Sequence, residues 1–230
     1  MLDLSKIRFI PSKNFHPGIS PGGFTHIVLH CPEGTLTGTI ATFQRIIPPR
    51  VSAHYVIDRD GSITQMVQLK DTAWHVCNAN PFCIGIEMVD RYAIAGNLSN
   101  GCKRDPGWLT NPELASAVQL TAALMQKFNI PLQNVIGHGD PYLRQFGNVH
   151  TDPEKFFPWM QFRSMVSDLF KASIFSPPPV RPLAASGNLQ QTIAELSDST
   201  SRLLEAHAKS VLIPNQRKPR GRKIVGRKRG

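Results

Sequence analysis

Short apolar runs of strand length alternate with stretches of helical period, and this alternation limits the fold more than any other feature. His26-Ile27-Val28-Leu29-His30 follows a Pro- and Gly-containing lead-in and reads as a buried strand. Ile84-Gly85-Ile86-Glu87-Met88-Val89 is another, with one carboxylate inside it, and Val135-Ile136-Gly137 is a shorter one leading to His138. Ser52 to Met66 reads as a hairpin turning at Arg59-Asp60-Gly61, where Asp-Gly favours positive φ. Leu36, Ile40, Phe43 and Ile47 recur at helical spacing, and Pro48-Pro49 ends that segment. Residues 112–128 put Leu114, Ala117, Val118, Thr121, Leu124, Met125 and Phe128 on one face. Asn111 is the expected cap, with Pro112 at the first helical position. Residues 91–110 read as a long polar loop. A last helix is expected over 154–171, from Phe162, Met165, Val166, Leu169 and Phe170. Strands alternating with helices define an α/β class with a central mixed sheet flanked by helices.

The alternation stops at Ser176-Pro177-Pro178-Pro179. Residues 1–173 are expected to form the folded domain and 174–188 a stiff Pro-rich linker. Residues 189–213 are expected to form an amphipathic helix, with Leu189, Ile193, Leu196 and Leu203 on a stripe, and 214–230 a disordered basic tail. Charge follows the same division. Eight of the 26 Lys and Arg lie beyond Pro214 (Arg217, Lys218, Arg220, Arg222, Lys223, Arg227, Lys228 and Arg229), with no acidic residue among them. Residues 1–213 then hold 18 basic against 16 acidic side chains, so the net charge of +10 belongs mainly to the tail. Such a tail attracts polyanions, whether an anionic cell envelope or nucleic acid. No aromatic residue interleaves it to stack on bases, which favours the envelope.

A hydrophobic content of 41% excludes a wholly disordered chain. No apolar run reaches the roughly 18 residues of a transmembrane helix. Met1 to Lys6 lacks the basic-then-apolar pattern of a signal peptide, so synthesis and residence in a cytoplasm are expected. Cys31, Cys77, Cys83 and Cys102 suit neither a disulfide-dense mini-domain nor a CxxC zinc module. Reduced thiols are the default, with a Cys77–Cys83 bridge as the alternative.

Several of the eight histidines stand at strand ends. His30 ends the first strand, His138 follows the third, and Asp152 lies fourteen residues beyond it. Two imidazoles, one carboxylate and an open position make a catalytic zinc site. Zinc suits hydrolysis because it polarises a carbonyl and brings the pKa of bound water toward neutrality. The spacing alone leaves these residues equally readable as ordinary core or surface histidines.

Six stretches taken in order are more specific. They are Ile27-Val28-Leu29-His30-Cys31, Val51 through Gly61, Ala73-Trp74-His75, Ile84-Gly85-Ile86-Glu87, Gly137-His138-Gly139-Asp140, and Thr151-Asp152-Pro153 with Phe157-Pro158-Trp159. Over roughly residues 20–170 the chain resembles the zinc-dependent N-acetylmuramoyl-L-alanine amidases of the type-2 amidase and peptidoglycan-recognition-protein family. The resemblance implies a mixed sheet flanked by helices and Zn2+ held by His30, His138 and Asp152. It implies Glu87 as the general base on the zinc-bound water. Two residues before the third ligand the family often has an oxyanion-stabilising lysine. Here that position is His150, which would have to supply the donor itself or else act as the third ligand. His75 matches a family position near the cleft and is expected to meet substrate, with Trp74 placed to stack on sugar and Asn78 to supply an amide donor. His54 is as readable as structural as it is functional. Cys31 should lie on the opposite strand face from His30 and be buried. Tyr142 to Phe146 reads as an insertion on the rim of the substrate groove.

The implied reaction is hydrolysis of the amide between N-acetylmuramic acid and the L-alanine of peptidoglycan stem peptides. The tail favours a phage endolysin, held in the host cytoplasm until lysis and then acting on the wall. A cytoplasmic muropeptide-recycling amidase is the enzymatic rival. A virion- or nucleic-acid-associated protein carrying an amidase-like domain is a further alternative, and a non-catalytic peptidoglycan-binding module another.

Overall fold

The computed structural model describes residues 1–90, 107–153 and 156–175. Most of the expected 91–110 loop lies outside them, as do the helix of 189–213, the basic tail and the linker beyond Phe175.

The central sheet is mixed and six-stranded, in the order β1-β5-β4-β7-β3-β8. Its strands are β1 (Arg8–Phe9), β3 (His26–His30), β4 (Tyr55–Ile57), β5 (Ile63–Gln65), β7 (Cys83–Met88) and β8 (Val135–Gly137). Strands β4, β7, β3 and β8 run parallel, and β4 pairs antiparallel with β5 through the expected hairpin, whose Gly61 has φ +86°. Two strands absent from the sequence reading, β2 (Phe15–Pro17) and β6 (Asp71–Ala73), form a small antiparallel ribbon. They are only three residues long, and β2 is exposed throughout, so neither leaves an apolar alternation to read.

Each central strand divides its side chains between two faces. Ile27, Leu29, Ile84, Ile86, Tyr55, Ile57 and Val135 join one core with Leu120 and Leu124 of α2 (Asn111–Phe128) and with Phe162 and Val166 of α4 (Trp159–Phe175). Val28, Cys83 and Ile136 point the other way and pack on Val76, Ala79 and Leu143. Farther along that second face, α1 (Leu36–Gln44) lays Phe43 against Val56 and Met66. The alternation thus seats α2 and α4 on one face and leaves the other for chemistry.

Three element boundaries differ from the sequence reading. Helix α1 ends at Gln44, and Arg45 is already extended, leaving Ile47 61% exposed instead of on the buried stripe. Pro48 disfavours helical backbone at the residue before it. Helix α2 is capped by Thr110 and not Asn111: Thr110 Oγ1 accepts from Glu113 N–H while Glu113 Oε2 accepts from Thr110 N–H. Thr110 Oγ1 also donates to Arg59 O at 2.6 Å, a tertiary bond that settles between two good capping residues. Helix α4 starts at Trp159, directly after Pro158, and runs to Phe175, past the expected 171.

Candidate active site

Parallel strands bring their carboxyl ends together at one edge, where ligands of α/β sheets collect. His30 ends β3 and stands in register with Glu87 on β7. His138 follows β8, the other neighbour of β3, and its N–H donates to Leu29 O at 3.0 Å. Asp152 arrives from a loop that crosses close beside it. Gly139 N–H donates to Asp152 O at 2.9 Å, and a Cβ on Gly139 would lie only 2.7 Å from Thr151 O, so this crossing requires glycine. His30, Glu87, His138 and Asp152 are all buried.

Each of His30, His138 and Asp152 offers a ligand atom within 4.8 Å of the others. Asp152 Oδ1 lies 3.0 Å from His138 Nδ1, and its Oδ2 lies 3.7 Å from His30 Nδ1. Oδ2 also accepts from Cys31 N–H at 3.0 Å. Burial works to raise the Asp152 carboxyl, but the bonds from His138 and Cys31 and the His138 charge outweigh it and hold it below its ordinary value. Burial, then the neighbouring imidazoles, pushes His30 well down, keeping it neutral as a metal ligand must be. Two imidazoles and one carboxylate fit a zinc ion. His138 Nε2 and Glu87 Oε2 are buried with no hydrogen-bond partner among the described residues, so the site holds polar capacity the protein itself leaves unused. Burial, then the Asp152 charge, raises the Glu87 carboxyl well above its usual range.

Glu87 opens onto a groove of about 290 Å3 lined by Glu33, Gly34, Thr39 and Phe43 of the α1 side. The buried Thr39 hydroxyl there has no partner among the described residues. A roomier groove of about 700 Å3 lies against α2 and α4, between Met1, Val118 and Met165, on the face away from the candidate residues.

The other expected residues fall into different settings. His150 is exposed and stacks on His138, with ring centroids 4.5 Å apart and planes at 13°. Trp74 and Asn78 line a groove of about 480 Å3 with His16 and Pro81, and Trp74 lies 5.0 Å from the His16 ring. His75, expected to meet substrate, has both ring nitrogens committed inside the protein, to His30 Nε2 at 2.9 Å and to Cys83 O at 3.3 Å. His54 is structural: its Nδ1 accepts from Gly85 N–H and its Nε2 donates to Asp71 O. Cys31 is buried as expected. Cys77 and Cys83 are free thiols, so the alternative bridge is absent. Residues 141–144 form a single helical turn, α3 (Pro141–Arg144), whose Tyr142 stacks on His26 at 4.6 Å.

Asn148 escaped the sequence reading. It is buried, its Nδ2 donates to His138 O and its Oδ1 accepts from His150 N–H, so it ties the two histidines together. An asparagine after Gly147 reads only as a turn, and nothing local marks these bonds.

A mixed sheet with this cluster at its carboxyl edge offers a group of side chains that could hold a metal ion. The sequence profile of the N-acetylmuramoyl-L-alanine amidases matches residues 21–155. N-acetylmuramoyl-L-alanine amidase A of Achromobacter lyticus is 30% identical over 172 residues, covering 72% of this chain and 96% of that protein. The 1,6-anhydro-N-acetylmuramyl-L-alanine amidase AmpD of Haemophilus influenzae is 32% identical over 133 residues, 54% of this chain and 63% of that one. Among solved structures, a selenomethionine AmpD derivative superposes with a TM-score of 0.54 at 26% identity, covering 72% of this chain and 98% of that one. Staphylococcus aureus AmiA in complex with its ligand superposes at 0.56 with 17% identity, covering 75% and 87%, a likeness of fold. The chain belongs to the N-acetylmuramoyl-L-alanine amidase family.

Proposed function

We propose that this chain hydrolyses the amide between the lactyl carbonyl of N-acetylmuramic acid and the L-alanine of the stem peptide, at a zinc site formed by His30, His138 and Asp152. The observation that carries this reading is the convergence of those three side chains with Glu87 at one sheet edge in a chain of this family. Bound zinc supplies Lewis acidity at the carbonyl and eases deprotonation of water. Glu87, beside His30 and open to a groove, takes the proton of the attacking water and hands it to the alanine nitrogen as the C–N bond breaks. His150 supplies a donor to the developing oxyanion. Trp74 and Asn78 bind substrate along the groove they share with His16.

In the cell the enzyme is lytic, held to the anionic envelope by the eight basic residues after Pro214. The similarity to AmpD favours a second reading, in which the substrate is a soluble 1,6-anhydro muropeptide.

The test is digestion of purified peptidoglycan by zinc-loaded protein, with new ends identified by mass spectrometry. Free N-terminal L-alanine is expected, with kcat lowered about 100- to 10,000-fold in Glu87→Ala. Zinc binding without released L-alanine overturns the proposal. Comparing rates on intact sacculi and on soluble anhydro-muropeptides separates the two readings.

A further inference from the structure

The buried His30 ring and the half-buried His75 ring stand in line at the candidate metal site, and the second of them ends on a backbone carbonyl. Cys83 O can only accept, so His75 Nε2 must carry the proton in the bond between them. A neutral His75 ring holds its one proton there. Its Nδ1 therefore has no proton and can only accept. The 2.9 Å contact with His30 is then a bond donated by His30 Nε2–H. That fixes the His30 tautomer and leaves Nδ1, the nitrogen facing Asp152, with its lone pair free.

The fold makes room for this line. Gly85 lies on the strand beside Val28, on the same face as His30. A Cβ there would stand 2.8 Å from His75 Nδ1 and 2.9 Å from Cε1 and Cγ, so the ring rests where a side chain is missing. The backbone behind it is held too, because Asn80 Oδ1 accepts from His75 N–H at 2.9 Å and Val76 N–H at 2.6 Å.

We propose that His75 is a positioning residue for the metal centre: by accepting from His30 Nε2–H it orients that ring and presents Nδ1 to the cation, with Gly85 as its seat. The proposal rests on reading His30, His138 and Asp152 as the metal site. Partners of this kind around a ligating histidine typically change metal affinity about 10- to 100-fold.

Two measurements test it on the full-length protein. The first needs no metal: long-range 1H–15N correlation spectra of the metal-free protein at neutral pH report the histidine tautomers. His30 is expected as the Nε2–H form, and an Nδ1–H form overturns the proposal. The second is Zn2+ affinity by chelator competition. His75→Phe keeps the ring and loses both nitrogens, and is expected to bind about 10- to 100-fold more weakly. His75→Asn restores an acceptor near the Nδ1 position and is expected to recover much of that loss. If the phenylalanine variant binds like wild type, or both variants weaken alike, the hydrogen bond has no such role. Should wild type itself fail to bind Zn2+, the metal-site reading fails instead, and the spectra still report the tautomer. Circular dichroism of the metal-free variants checks folding.

Discussion

At the scale of single residues, the site divides histidines by how their nitrogens are spent. His54 spends both on backbone groups, and burial lowers its pKa from 6.5 to about 4. The fold therefore favours the neutral ring, and the unfolded chain takes up the proton first as pH falls. The stability this gives is complete above pH 6.5 and is lost as pH falls toward 4, a change of roughly 3 kcal/mol at about 1.4 kcal/mol per unit. NMR titration of the His54 ring alongside urea unfolding at several pH values reads this directly, and a ring titrating near 6.5 would refute it. His150 is the opposite case, exposed and stacked on a candidate ligand. His150→Ala is expected to lower kcat about 100- to 1,000-fold, with His150→Lys retaining most activity. An unchanged kcat in the alanine variant removes the oxyanion role. The sequence carried His30 and His138 as strand-end residues, Glu87 as a carboxylate inside an apolar strand and Asp152 in a recognisable Thr-Asp-Pro run. It could not carry the line from Cys83 O through His75 to His30, because that contact depends on how a turn after β6 returns over Gly85. Trp74-His75 reads as a substrate-facing pair, yet neighbouring side chains turn to different environments, and only the second turns toward His30.

At the scale of elements, α2 shows a conflict held in place by packing. Its capping box uses Glu113, yet burial raises that carboxyl to about 7, against the bond from Thr110, and Oε1 has no partner among the described residues. An acid with a raised pKa favours folding below its ordinary range, and that contribution falls away as pH rises from 4.5 through about 7. Glu113→Gln keeps a side chain able to complete the box and removes the buried charge. It is expected to stabilise the protein at pH 8 by about 1–2 kcal/mol, and to change little at pH 4. Unfolding midpoints at both pH values check this, and a loss of stability at pH 8 contradicts it. Elements with long apolar periods were legible: β3, β7, the β4–β5 hairpin and the body of α2 all lie where periodicity and turn chemistry put them. Boundaries were less so, because Thr110 and Asn111 are near-equal caps and a bond to Arg59 O chose between them. The β2–β6 ribbon had no local signal, since pairing across 54 or more residues joins strands too short for a pattern.

For the whole molecule, the α/β class and the amidase family both follow from the sequence and agree with what the fold and the relatives show. The roles of the segments after Phe175 rest on composition. Deleting residues 214–230 is expected to leave hydrolysis of soluble muropeptides within about twofold of the full chain, since that segment holds none of the candidate site residues. Binding to intact envelope is expected to fall at least tenfold and to lose most of its salt dependence, as removal of eight screened charges requires. Sedimentation with sacculi at 50 and 300 mM salt decides it. Retained, salt-insensitive binding would mean that the folded domain alone finds the wall.

The bond from Cys31 N–H to Asp152 Oδ2 joins residues 121 positions apart, and β3 takes its place between β7 and β8 only when both are present. A ribosome making this chain therefore carries an incomplete candidate site for most of the journey. The first candidate ligand emerges early, but the cluster stays incomplete until the segment around Asp152 has left the exit tunnel and closed onto β3. A chain stopped short anywhere before that point lacks Asp152, and with it one of the three candidate ligands.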